Sequence, residues 1–284
     1  GYQQTITTAC HHCEDPACSN GCPVLAYEKD PETGIVRHLD DQCIGCSYCI
    51  LKCPYEVPKF NKRLGIVRKC DMCAARLAEG EAPACVQACP NGAIGIRIIR
   101  RDQTPGGQPI MPGSVTSTYT RPTTSYATKK GVPDRALPAD AATLRVEPGH
   151  LPLVVMLVLT QAAAGLFIAA AMASSLPLTT AANAALQAGL AASVLHLGQP
   201  LRAWRAFLGW RKSWLSREII VFSVFAGSGI IAWLPGIPFI APFIPHFALP
   251  WISPWLAVPP ALLGVYCSVM VYVDTRRTDW RMSQ

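Results

Sequence analysis

Apolar and polar positions change their pattern near residue 150. Beyond it lie four apolar runs, 151–176, 178–197, 218–234 and 255–273. The first carries no charged residue and exceeds the roughly 20 residues that a helix needs to cross a bilayer. The second is Ala-rich and less hydrophobic, which suits a place inside a helix bundle, where small side chains permit close approach. The third follows Ser216, a candidate N-cap, and puts Glu218 in its first turn, where the helix dipole favours an anion. Trp251 and Trp255 flank one end of the fourth and Tyr272 and Trp280 the other, in the manner of an aromatic belt. Before residue 150 no long apolar run occurs. TGIVRHLDD (Thr33 to Asp41) and NGAIGIRII (Asn91 to Ile99) read as short strands. Residues 101–149, rich in Pro, Thr, Ser, Gly and Ala, have neither period and read as a tether lying on a partner surface, with Tyr119 and Tyr126 as packing contacts. The pattern predicts three parts: 1–100, a linker 101–149, and a multi-pass helical part 150–284.

Charge agrees with that division. Of 25 Lys+Arg and 18 Asp+Glu in 284 residues, 17 and 15 fall before residue 151, leaving 8 and 3 in the apolar part. The net charge of +7 therefore arises mostly among the apolar runs. Basic residues clustered between such runs mark membrane topology and not nucleic-acid binding. With the cysteine-rich part on one side, helix alternation puts the loop carrying Arg202, Arg205, Arg211, Lys212 and Arg217, and the tail carrying Arg276, Arg277 and Arg281, on that same side. SLPLTT and GIPFIAPFIPHFALPWISP, on the other side, carry no Lys or Arg. The positive-inside rule then places the cysteine-rich part on the cytoplasmic face of the inner membrane, the periplasmic face being the alternative.

Of the 13 cysteines, 12 fall in the first part, in three groups. They are Cys10-x2-Cys13-x4-Cys18-x3-Cys22-Pro, Cys43-x2-Cys46-x2-Cys49-x3-Cys53-Pro, and Cys70-x2-Cys73 followed by Cys85-x3-Cys89-Pro. Each group ends in C-x3-C-P, an internal repeat. Disulfide frameworks have no need of a proline after each fourth cysteine. Zinc uses cysteines in pairs, whereas C-x2-C-x2-C-x3-C-P offers three thiolates on one tight loop and a fourth displaced from it, which suits a 4Fe-4S cubane. In two-cluster ferredoxins the fourth cysteine ligates the other cluster. That crossing gives Cys10, Cys13 and Cys18 with Cys53 for one cluster, and Cys43, Cys46 and Cys49 with Cys22 for a second. The fold expected is an α+β bacterial-ferredoxin-like domain followed by an all-α transmembrane bundle. The third group does not close by itself: its four cysteines either share one cluster or belong with cysteines outside this sequence.

CHHCEDPACSNGCP, CIGCSYCILKCPYEVPKFN and RKCDMCAARLAEGEAPACVQACPNGAI together resemble the iron–sulfur subunit of the dimethyl sulfoxide reductase family of molybdoenzymes. That family has four such clusters from four cysteine groups, and its first group has no counterpart here. The resemblance implies that Cys70, Cys73 and Cys85 bind a third cluster with a cysteine outside this sequence, and that Cys89 completes a fourth. HLGQPLRAWRAFLGWRKSWLSREI resembles the quinol-handling membrane anchor of the same family, whose anchors have more helices than four. The chain, which opens GYQQTITTAC without Met or targeting signal, is therefore expected to be a piece of a longer protein at both ends, with the two subunits fused in the order iron–sulfur then anchor.

A quinol gives up two protons with its electrons, so its site needs an acceptor. His196 suits that task by its ordinary pKa and its place at the membrane surface, with a helix-capping role as the structural alternative; Arg202 and Glu218 are further candidates. Cys267 reads as a buried apolar residue, His246 as structural, and His11 and His12 either as cluster-tuning donors or as solvent-facing loop residues. The chain has no nucleophile, general-base constellation or phosphate loop, so no catalytic residue is assigned. The resemblance implies electron transfer through 4Fe-4S clusters between membrane quinone and a separate molybdopterin-containing subunit that reduces an S- or N-oxide or oxidises a sulfur compound. An anchor for a hydrogenase or polysulfide reductase-type complex is the alternative, and a zinc-binding adaptor a weaker one. Substrate, direction of electron flow, potentials and quinone type are not legible.

Overall fold

The computed structural model describes residues 8–100, 110–111, 114–115, 118–128, 131–133, 136–137, 139, 149–244 and 253–277. The chain divides into two compact units, Gly1–Cys43 with Ser47–Val146, and Ile44–Cys46 with Glu147–Gln284.

The first unit is a small ferredoxin-like arrangement assembled from tight turns. After Cys22 and Pro23, β1 (Tyr27–Lys29) pairs antiparallel with β2 (Val36–His38), Tyr27 opposite His38. Asp30 sets the turn: its Oδ1 accepts the N–H groups of Glu32 at 2.8 Å and Thr33 at 3.0 Å, as Asx turns do. After Cys53 and Pro54 the device recurs. β3 (Lys59–Asn61) pairs with β4 (Ile66–Arg68), and Asn61 Oδ1 accepts the Leu64 N–H at 3.1 Å. α1 (Ala17–Asn20) and α2 (Tyr48–Lys52) follow the cysteine loops and pack on each other. Their approach is so close that a Cβ on Gly21 would meet Lys52 Cγ at 2.7 Å. α3 (Ala74–Ala78) and α4 (Ala84–Gln87) complete the unit, with Val24, Ala26, Ile35, Val36 and Val67 in its core.

Two expectations for this unit need correction. Residues 91–99 form no strand, and Ile98 is 103% exposed; an isolated strand has no ladder to join, and none is offered among the described residues. Where it is described, the tether also lies on this chain's own first cysteine loop, whereas a partner surface was expected. Glu14 N–H donates to Arg121 O at 2.8 Å, Asp15 N–H to Thr120 O at 3.0 Å, and Thr123 N–H to His11 O at 3.1 Å. Thr120 and Pro122 are fully buried, and Tyr119 donates to Lys52 O at 3.4 Å. Residues 118–128 thus strap the first cysteine loop.

Among the described residues the second unit holds four helical segments long and apolar enough to cross a membrane: α5 (Leu151–Ala173), α6 (Leu176–Leu195), α7 (Trp214–Trp233) with its continuation to Gly236, and α8 (Val258–Val273) with the 3-10 turn Pro254–Ala257 before it. Each packs on its neighbours in sequence and α8 returns to α5. Phe167, Phe222, Phe225 and Leu186 fill the centre between alanines 163, 164, 182, 257 and 261. Small residues make the close contacts: a Cβ on Gly229 would lie 2.8 Å from Phe167 Cζ and 3.0 Å from Asn183 Oδ1. Asn183 Nδ2 donates to Gly229 O at 2.9 Å, tying α6 to α7. α6 is as enclosed as α5, and it packs on α5 and on α7.

The third helix starts earlier than its apolar run suggests. Ser213 occupies the N-cap position, while Ser216 lies inside the helix and donates to Ala206 O. Glu218 is consequently past the first turn. The loop before α7 is itself folded as a 3-10 segment, Pro200–Phe207, with Leu201, Trp204 and Phe207 exposed beside its arginines; such a composition suits the headgroup region. Arg217 closes its far end, donating to Trp210 O at 3.0 Å and Arg211 O at 2.9 Å and stacking 4.4 Å over the Trp214 ring. Trp251, His246, Trp280 and Arg281 lie outside the described residues.

Candidate metal centre

The cysteine repeat is also a backbone repeat. Two residues after the first cysteine of each group the chain turns left-handed, at His12 (φ 39°), Gly45 (φ 70°) and Met72 (φ 60°). Three residues after each Cys-Pro cysteine it does so again, at Leu25 (φ 55°), Glu56 (φ 52°) and Gly92 (φ 56°). The second set aims amides at sulfur. Cys22 Sγ accepts the Ala26 N–H at 3.2 Å, and Cys89 Sγ accepts the Ala93 N–H at 3.2 Å. Amides of Val57, Tyr55 and Glu56 turn toward Cys53 in the same way. Such nests stabilise negative charge on the atom they enclose. Proline contributes by fixing φ at the start of the turn and offering no N–H of its own.

Cys10, Cys13, Cys18 and Cys53 line one cavity, in which Val36, Val57, Pro58 and Ala17 supply apolar wall and Lys69, Tyr55 and Thr120 the polar part. Burial pushes the Cys13 thiol up to about 12, with Cys10 and Cys53 adding to the rise, and drives Cys18 higher still. Burial raises Cys53 as well. Thiols held in such a place stay protonated unless an electropositive partner replaces the proton, and a metal centre does so outright. Cys22, raised by burial to about 11, senses Cys43, and the Tyr27 hydroxyl, raised by burial, senses Cys49, Cys18 and Cys22. Cys46 is half-buried.

The third group is open. Cys70 and Cys85 are exposed and Cys73 and Cys89 half-exposed. Cys70 lies near enough to Cys10 for burial, and then that thiol, to raise it. The Ala93, Asn91 and Ile94 amides lower Cys89. Among the described residues no three His, Cys, Asp or Glu side chains converge as one metal ion requires. A cubane spreads four thiolates over four irons, and four cysteines around one cavity, with amides aimed at the sulfur of Cys53, fit it. When bound, a 4Fe-4S cluster supplies one-electron transfer.

His11 and His12 are not solvent-facing: they are 5% and 3% exposed. His11 stacks edge-on against Tyr55, centroids 4.4 Å apart. Burial, and next the Lys69 ammonium, bring His12 down to about 4.

The three candidate quinone residues sit on separate elements. His196 ends α6, half-buried, with Nδ1 lacking a hydrogen-bond partner. Arg202 lies in the 3-10 segment. Glu218 is 5% exposed in the bundle, where the Ser268 hydroxyl of α8 donates to its Oε1. Cys267 beside Ser268 is buried. Ser268 escaped the sequence reading because a lone serine in an apolar run carries no signal. Thr120 escaped it because its partners lie more than a hundred residues upstream.

Residues 3–98 match the family described as 4Fe-4S dicluster domain, and residues 148–283 the family described as DMSO reductase anchor subunit. The cysteine half is similar to the Hydrogenase-2 operon protein HybA of Escherichia coli O157:H7, 47% identical over 95 residues, 31% of this chain and 29% of that one. It is 47% identical over 89 residues to the B subunit of the anaerobic dimethyl sulfoxide reductase of Escherichia coli K12, 31% and 43% of the two proteins. The nitrate-inducible formate dehydrogenase iron–sulfur subunit of the same strain is 46% identical over 85 residues, 30% and 29%. The chain thus spans less than half the length of these curated relatives.

Proposed function

From a chain that joins a 4Fe-4S dicluster domain to a DMSO reductase anchor domain in a membrane-spanning bundle, we propose an electron relay between the membrane quinone pool and a separate molybdopterin-containing catalytic subunit. The observation that carries this reading is the apolar cavity lined by Cys10, Cys13, Cys18 and Cys53 in the same chain as four apolar helices. Cys43, Cys46, Cys49 and Cys22 hold the second cluster. Cys70, Cys73 and Cys85, with a cysteine outside this sequence, hold a third, and Cys89 serves a fourth; the openness of this group among the described residues supports a fourth ligand from elsewhere. The catalytic partner reduces an S- or N-oxide or oxidises a sulfur compound. The hydrogenase-operon relative supports a second reading, an anchor for a hydrogenase-type complex.

The basic 3-10 segment and the Arg276–Arg277 tail lie on the cytoplasmic side, where the positive-inside rule puts them. The quinone site draws on His196, Arg202 and Glu218. His196 accepts a quinol proton through its unpartnered Nδ1, and the buried Glu218–Ser268 pair offers a second acceptor, as ionisable groups inside a bundle commonly do. His196→Ala is expected to slow quinol-dependent turnover several-fold with cluster signals intact; unchanged turnover removes it from the site.

The native complex, co-purified and assayed for metals, tests the whole reading. Iron, acid-labile sulfide and molybdenum together are expected. Nickel without molybdenum supports the hydrogenase-type complex. Zinc without iron and sulfide supports a structural adaptor and ends the relay reading.

A further inference from the structure

His12 stands in the wall of the cavity that Cys10, Cys13, Cys18 and Cys53 line. Its Nδ1 accepts the Val36 N–H at 3.0 Å. A neutral imidazole that accepts at one nitrogen carries its proton on the other, so Nε2 is an N–H donor. That Nε2 is buried and has no hydrogen-bond partner. Buried donors are costly to leave unpaired, and each asks for an acceptor. The backbone does not demand histidine here: the equivalent left-handed positions in the other two groups hold Gly45 and Met72, neither with a nitrogen in its side chain.

We propose that His12 Nε2–H donates a hydrogen bond to a sulfur of the 4Fe-4S cluster held by Cys10, Cys13, Cys18 and Cys53, and raises the reduction potential of that cluster above the one it would have without the donor. The sulfurs are the acceptors a cluster brings into the cavity. A hydrogen bond strengthens as negative charge builds on its acceptor, so the donor favours the reduced form, and hydrogen bonds to sulfur are one of the determinants of cluster potential. The role is one of positioning and tuning; His12 neither ligates iron nor transfers its proton. The proposal rests on the cluster reading of the cavity, and its test reports on the two separately.

The experiment is an anaerobic redox titration of the whole chain in detergent, with dithionite as reductant and paramagnetic resonance as readout. H12F removes the donor; H12Q keeps an N–H in reach. H12F is expected to make reduction of one cluster about tenfold less favourable at a given potential, a shift of about 59 mV to the negative for one electron, with the other cluster unmoved. H12Q is expected to recover most of that shift. An unmoved midpoint in H12F, with iron, sulfide and signal intact, overturns the proposal. If H12F assembles no cluster, the native ring answers: a His11→Phe protein carrying 15N-histidine is expected to show nitrogen coupled to the reduced cluster, and its absence overturns the proposal. Wild-type protein without iron and sulfide removes the cluster reading, and the proposal with it.

Discussion

Cys53 belongs by sequence to the second cysteine run and by position to the cavity of the first. The crossed ligation of two-cluster ferredoxins pairs Cys53 with Cys10, Cys13 and Cys18, and these four line one cavity. The expected consequence is specific. Cys53→Ala removes iron, sulfide and signal of one cluster while the cluster assigned to Cys43, Cys46, Cys49 and Cys22 persists; iron analysis with paramagnetic resonance reads this, and loss of both clusters together, or of neither, counts against the crossing. Less was legible around the cysteines. The burial of His11 and His12 and the left-handed turns at Leu25 and Glu56 have no sequence mark, since neither residue is a glycine. The amides that enclose Cys22 and Cys53 do so by conformation, which residue type alone does not report.

Elements were read best where their pattern is long. The four helices follow from apolar length alone, yet their ends do not: α7 begins at Trp214 because Arg217 and Ser216 satisfy the carbonyls of the preceding turn, and both residues look like loop to a hydropathy scale. NGAIGIRII has strand composition without a strand to pair with, and composition cannot supply one. Packing between α6 and α7 turns on Gly229, whose missing Cβ admits Phe167 and the Asn183 amide together. Gly229→Leu is expected to lower bundle stability by about 1–3 kcal/mol, the usual cost of overpacking, seen as an earlier thermal transition in detergent. An unchanged transition means that the helices do not meet there in the detergent-solubilised protein.

At the scale of the molecule the two units are held by different means. Strands of three residues and helices of four or five are too short to persist on local interactions, so the cysteine unit is expected to depend on its small core and on what its cysteines bind. The bundle satisfies its backbone within each helix. Chelation of iron is therefore expected to open the cysteine unit to protease while helical circular dichroism falls only slightly; a coincident collapse of both would show that they fold as one. The division itself was visible in the change of pattern near residue 150, but the strap of residues 118–128 was not, since a Thr-Pro-rich stretch shows no period and its partners are remote backbone groups.

That strap has a consequence in time. Thr123 hydroxyl and His11 carbonyl, joined at 2.7 Å, are 112 positions apart. At a ribosomal pace of roughly 5–20 residues per second, about 6–22 s pass between their syntheses. The strap thus reaches the loop of Cys10 to Cys22 only after residue 123 has been made, and until then the Thr123 contacts cannot cover that loop.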